Sequence, residues 1–339
     1  MIKKIPSERL KLGMYIHALC GDWMSHPFWR GQFMLKTNAD LSHIGEAGIT
    51  WVYIDTAKGI DDVGVLTEPV QQVENLGQLP PVIQSPRPPQ PNQYPPRHLC
   101  IHPPNTQELA DALKVHMQAR KVVEALMEDT RLGRAVSTEK IATTVRAITA
   151  SALRESSALL GLVCIKNKDR YTFQHSVNVC TLVVAFGLSL GLDCEEIHQA
   201  GIGGLLHDIG KTRISPEILN KPDPLTDEEF TLVRTHPSHG YHILKSTPEF
   251  GPIPLDIVHH HHERLDGSGY PCRLVGDQIS PIVRMVAIVD VYDALTTDRC
   301  YHRAVLPVTV LRMMWKWSTQ FDHLMLQAFM RCIGFYPVG

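Results

Sequence analysis

The chain has 339 residues, a formal net charge of −2, 44% hydrophobic and 20% charged residues. That is length enough for two cores, and it leaves no global field to draw the protein onto a nucleic acid polymer or into a membrane surface. Eight cysteines without a CxxC pair read as reduced thiols of a cytoplasmic protein, and MIKKIPSERL lacks the apolar stretch of a signal peptide.

Residues 1–67 read as a small α+β domain. Met14-Tyr15-Ile16 and Thr50–Ile54 are β-branched and aromatic, as strands are, and Asp40–Ala47 between them reads as a short helix ended by Gly48. Residues 68–105 form a linker, because ten of the twenty-five residues from Pro80 to Pro104 are proline and such a run holds neither a helix nor a central strand. The rest, 106–339, reads as helical. Leu109, Leu113, Val122, Leu126 and Met127 recur at helical spacing, and Ile141–Leu153 continues the pattern beyond Gly133. Phe173–Leu190 presents Val177, Cys180, Val184 and Leu188 on one face. Glu195–Ile209 follows, with Gly210 as its C-cap. Further helices are expected at Asp227–His236, Gly240–Ser246, Leu255–His262, Pro281–Leu295 and Val308–Trp317. No strand pattern occurs after residue 106, and the apolar run Val179–Leu192 is too short to span a bilayer. The expected fold is therefore mainly α, an all-α domain preceded by a small α+β one.

Eighteen histidines are present, and most lie between His175 and His262. Within the helical part stand His175, the pair His207-Asp208, His236, the run His259-His260-His261-His262, and Asp290. Imidazole and carboxylate without thiolate suit divalent iron, manganese, cobalt or zinc. This many donors exceeds the needs of one ion, so a two-metal centre with a shared carboxylate follows, the arrangement that clamps both oxygens of an in-line phosphoryl displacement. His207 and Asp208 point about 100° apart if helical, so both reach one site only at a helix end.

His207-Asp208-Ile209-Gly210-Lys211 resembles the HDIGK signature of the HD phosphohydrolase superfamily. His261-His262-Glu263-Arg264-Leu265-Asp266-Gly267-Ser268-Gly269-Tyr270-Pro271 resembles the HHExxDGxGYP segment of its HD-GYP subgroup. Further segments match in order, including Tyr171-Thr172 with His175, His236-Pro237 with Gly240, Asp290 with Asp293, and Arg299 with Tyr301. The resemblance covers roughly residues 145–339. Ile5-Pro6, Leu12-Gly13-Met14-Tyr15, Trp23, His26-Pro27-Phe28 and Ile54-Asp55 look like the uncharacterised domain that often precedes HD-GYP modules.

The resemblance implies a phosphodiesterase that hydrolyses cyclic di-GMP to the linear dinucleotide and on to GMP, by in-line attack of a hydroxide bridging two divalent ions, iron or manganese. It implies His175, His207, Asp208 and Asp290 as the core metal ligands, with Asp208 bridging, and His236, His261 and His262 around the second ion. Lys211 would meet the hydroxide or the scissile phosphate. Tyr270, Arg299 and Arg303 would face the substrate, and Asp266 and Gly269 would shape the loop carrying Tyr270. Three features depart from the pattern. Tyr171 stands where some members carry a third-metal glutamate, so two ions are expected. His302 and then Arg303 replace the usual lysine. The chain stops at Tyr336-Pro337-Val338-Gly339, before the β-rich tail of relatives.

Plainer readings apply elsewhere. His116, His198, His242 and His323 are taken as satisfied structural residues, His259 and His260 as a solvated patch, and Trp315 and Trp317 as packing residues. The Trp23–Trp29 cluster is taken as small-domain core, and Tyr270 could serve turn packing alone. Two rival functions stand beside the first: a phosphodiesterase acting on another cyclic dinucleotide, and a sensor or partner-docking module that does not hydrolyse. The first domain would regulate or dimerise the protein, with a second copy or a signalling protein as partner.

Overall fold

The computed structural model describes residues 2–20, 33–35, 41, 44, 51–60, 105–164, 171–221, 225–297, 304–317 and 319–334. The chain divides into two compact units. The first is built on an antiparallel sheet of β1 (Ile2–Pro6), β2 (Tyr15–Cys20), β3 (Phe33–Met34) and β4 (Trp51–Asp55), in the order β1-β4-β2-β3. Ile5 pairs with Val52 and Ile16 with Ile54. These residues, with Met14, Leu35 and Ile44, form a small apolar core. β2 and β4 are the two strands expected from the sequence, whereas β1 and β3 were not. Of the expected helix Asp40–Ala47, only Leu41 and Ile44 are described, both helical. The aromatic cluster from Trp23 to Trp29 and the proline-rich linker, apart from Asn105, lie outside the described residues.

The second unit is helical, and most of the helices from Thr106 onward belong to it, residues 221–230 being grouped with the first. α1 (Thr106–Arg131) starts at Asn105, whose side chain accepts the Gln107 and Glu108 N–H groups while Glu108 caps in return. Then come α2 (Thr138–Cys164), α3 (Tyr171–Leu190) and α4 (Cys194–Leu206). A 3₁₀ turn (Ile209–Arg213) leads to α5 (Pro216–Leu219), α6 (Asp227–Val233), α7 (His236–Lys245) and α8 (Pro252–His260). α9 (Pro281–Thr296), α10 (Pro307–Lys316) and α11 (His323–Cys332) complete it. No strand of more than an isolated bridge, Asp266 to Val275, occurs among its described residues.

α3 organises this unit because both its faces are apolar. Val177, Cys180 and Val184 join a core with α1, α2 and α4, while Val179, Leu182, Val183 and Phe186 join a second core with α9, α10 and α11. A helix apolar all round belongs inside a protein. Phe173–Leu190 is a stretch of 18 residues long and apolar enough to cross a membrane, longer than the run read from the sequence, yet 72% of it is buried within the unit. It carries His175 and Asn178 into the interior.

One expectation needs correction. Gly210 is not a C-cap: α4 ends at Leu206 and Gly210 lies inside the following 3₁₀ turn, without the positive φ of a capping glycine. Trp315 is 43% exposed and packs its ring edge-on against His323, 4.7 Å away. Trp317 packs against the second core.

Candidate metal centre

Each donor reaches the centre from the end of an element or from a core helix. His175 lies in the second turn of α3, and Asp290 lies in α9. His207 is the C-cap of α4, and the backbone turns at Asp208 (φ −97°, ψ 7°) into the 3₁₀ segment. That turn is how two adjacent residues aim at one place. His236 opens α7, and His261 and His262 follow the end of α8. The C-termini of α4 and α8, with their partial negative charge, therefore meet where cations would sit.

All seven side chains are buried, none more than 1% exposed. Their donor atoms form two groups: His175, His207 and Asp208, and Asp208, His236, His261 and His262, each group within 4.8 Å. Asp208 belongs to both. Its Oδ2 lies 3.3 Å from His207 Nε2 and its Oδ1 3.3 Å from His236 Nε2. Asp290 Oδ1 is 3.0 Å from His175 Nε2 and 3.6 Å from His207 Nε2, and its Oδ2 is 3.8 Å from His262 Nδ1.

The imidazoles are turned inward by what their other nitrogens do. Nδ1 of His207 donates to the Gly204 carbonyl at 2.8 Å and that of His236 to Val233 at 2.7 Å. His261 Nδ1 donates to Ile257 and Val258, both at 3.1 Å. His175 Nδ1 donates to Asp293 Oδ2 at 2.8 Å. Carbonyls and carboxylates only accept, so each Nδ1 carries a proton, and where the ring is neutral its Nε2 points a lone pair inward. Yet His175 Nε2 and His207 Nε2 are 3.2 Å apart, and His236 Nε2 and His261 Nε2 3.3 Å apart. Two lone pairs so close require a proton or a cation between them. Asp208 Oδ1 and both oxygens of Asp290 are also buried without a hydrogen-bond donor among the described residues. Buried acceptors in this number fit metal ions.

The charges agree. Burial would raise the Asp208 pKa, but Lys211, whose Nζ donates to Asp208 Oδ2 at 2.6 Å, and His207 hold it well below the carboxylate range. Asp290, facing His175 and His207, is lowered likewise against its burial. Burial would lower the His175 pKa, and Asp290 and Asp293 instead lift it to about 9. His261 and His262 are held well below the usual histidine value by burial and by the neighbouring rings.

Around the donors lie residues that sequence reasoning left without a role. Asp293 Oδ1 accepts from Asn178 Nδ2 at 3.0 Å, and Asn178 Oδ1 accepts from His116 at 2.9 Å. His116 is thus satisfied, as expected, but as the outer end of a chain leading to His175. Arg264, 1% exposed, donates to the His261 carbonyl at 3.2 Å and the Glu263 carbonyl at 2.7 Å, and stacks over Phe321. Glu263 takes the Cys272 and Leu274 N–H groups. Together they fix the backbone of the paired histidines. Asp293 and Glu263 had been matched to the family pattern, but neither had been given a role.

Of the other sequence candidates, Lys211 is paired with Asp208 inside the centre. Tyr270 is 3% exposed, with its ring 4.7 Å from that of His262 and the Arg234 guanidinium 4.5 Å above it. Its loop is tied by Asp266, which accepts from the Ser268 N–H and from Thr319 Oγ1. Gly269 presses on the backbone of His262, Glu263 and Arg264, where a Cβ has no room. Arg299 and Arg303, with Tyr301 and His302, lie outside the described residues.

A family described as a domain of unknown function (DUF3391) matches residues 2–141, and one described as HD domain matches residues 162–324. Cyclic di-GMP phosphodiesterase PA4108 of Pseudomonas aeruginosa is 40% identical over 340 residues, covering 100% of this chain and 78% of the relative. The chain belongs to the HD-GYP family. Other relatives match over shorter spans. 3'3'-cGAMP-specific phosphodiesterase 1 of Vibrio cholerae is 37% identical over 160 residues, 47% of this chain and 37% of that protein. The solved structure of Bd1817, an HDG"Y"P protein from Bdellovibrio bacteriovorus, superposes with a TM-score of 0.56 at 17% identity, over 97% of this chain and 98% of that one. It shares the fold.

In this HD-GYP chain, Gly210 packs against the His236 carbonyl and Gly240 N, leaving no space for a methyl group. Gly210→Ala is expected to displace α7 with His236 and to cost about 1–3 kcal/mol of stability. Urea unfolding of both proteins, with metal content measured alongside, checks this.

Proposed function

We propose that the protein hydrolyses cyclic di-GMP, opening it to the linear dinucleotide and then to GMP, with two divalent ions, iron or manganese, held in the His/Asp centre. One observation carries the reading: Asp208 is shared by two groups of buried donors in a chain alike along its whole length to a cyclic di-GMP phosphodiesterase. Bound in those groups, two such ions supply Lewis acidity for attack on phosphorus. His175, His207, Asp208 and Asp290 would hold one ion, and Asp208, His236, His261 and His262 the other.

The chain's own residues do the positioning. Lys211 keeps Asp208 ionised and aimed. Asp293 and four main-chain carbonyls orient four of the five rings. Tyr270 covers His262 and, with Arg234 above it, closes that side against water. Arg299 and Arg303 remain the proposed phosphate contacts. The first unit is proposed to regulate the second, in a cytoplasmic protein.

A second reading rests on the cGAMP-specific relative, 37% identical over 160 residues: the same centre could open a different cyclic dinucleotide, since its donors do not select the base. Turnover of cyclic di-GMP, cyclic GMP-AMP and cyclic di-AMP by iron- and manganese-loaded protein, with metal content and products measured, tests both. Preferred cleavage of cyclic di-GMP is expected. Faster cleavage of another member of the panel would move the substrate, and tight binding without cleavage would make the protein a sensor.

A further inference from the structure

His259 and His260 were read as a solvated patch, but the fold gives them a common partner. A donor atom of each lies with Cys272 Sγ in a set whose members are all within 4.8 Å of one another. The orientation of each is fixed. His260 Nδ1 donates to Asp256 Oδ1 at 2.8 Å, and Asp256 Oδ2 is held by the Ser280 hydroxyl at 2.6 Å. This carboxylate–imidazole pair leaves Nε2 as the free donor, the arrangement that orients metal-binding histidines. The His259 ring lies stacked on Tyr241, 4.6 Å away at 23°, and 4.4 Å from that of His260. The loop bearing Cys272 is tied to the end of α8 by Glu263, which accepts the Cys272 N–H at 2.6 Å. Cys272 is a free thiol, partly buried and open to solvent ions.

We propose that His259, His260 and Cys272 form a second metal site, separate from the catalytic centre, that takes a zinc-like ion through two imidazoles and one thiolate, with water as fourth ligand. Zinc bonds of about 2.0–2.3 Å place tetrahedral donors roughly 3.4–3.6 Å apart, so side-chain rotations of about 1 Å complete the site. The C-terminal end of α8 favours a cation there. Binding replaces the thiol proton of Cys272, which passes to solvent. Cys272 stands two residues beyond Tyr270, so a bound ion would anchor the loop that covers His262.

Cobalt(II) added to full-length, manganese-loaded protein provides the test, because the catalytic donors include no thiolate. A thiolate-to-cobalt charge-transfer band saturating at one cobalt per chain is expected, absent in Cys272→Ser and shifted at least tenfold to higher cobalt in His260→Ala. Zinc should also protect Cys272 of the unaltered protein from alkylation, read by peptide mass, so that a poorly folded variant does not decide the matter. No band in the unaltered protein, a band unchanged in Cys272→Ser, full affinity in His260→Ala, or unprotected Cys272 would each overturn the proposal.

Discussion

Asp208→Ala is expected to empty both halves of the catalytic centre, because one carboxylate serves both donor groups through different oxygens. Lewis-acid stabilisation of a phosphoryl transition state is worth several kcal/mol. At about 1.4 kcal/mol per tenfold, its loss lowers turnover of cyclic di-GMP on the order of 10³-fold or more. The substitution also leaves the Lys211 ammonium, 12% exposed, without the carboxylate it now faces at 2.6 Å. Asp208→Asn, which keeps the shape, separates the two effects. It should fold better than Asp208→Ala and be equally inactive. Elemental analysis and product chromatography read the result, and a variant that kept its full metal content and its turnover would show that Asp208 bridges nothing.

Asp293→Asn should be the most damaging change at a residue that touches no ion. It replaces the acceptor of His175 Nδ1 by an amide while conserving volume, and so loosens the ring that faces Asp290 and His207. Loss of such a supporting carboxylate typically costs about 10–100-fold in metal affinity or activity. Because the residue acts through His175, excess metal should restore most of the lost rate. A purely structural defect would not respond to metal. Activity measured across a manganese titration distinguishes the two.

These two residues also mark how far the sequence could be read. The seven side chains were legible because histidines are numerous and clustered between His175 and His262, and two of the segments carrying them match a specific pattern. Gly210 was misread because a helix cap and a close backbone contact both call for glycine, and only the backbone dihedral separates them. Asn178 and His116 were missed because their link to Asp293 spans 115 and 62 residues and exists only once α1, α3 and α9 have packed. α11 went unread although Asp322 caps its first turn and Leu326 and Phe329 share a buried face. In the first unit, the lysines of β1 and the two-residue length of β3 hid both strands.

Three of the imidazoles in the catalytic centre take their tautomer from main-chain carbonyls three or four residues away. Peptide carbonyls are common to every amino acid, so drift in the neighbouring side chains cannot rewire those rings while the helices persist. His175 is different, for its tether is a side chain 118 residues distant. Position 293 is thus the dial for His175, a place where a single codon could retune how strongly the centre grips its ions.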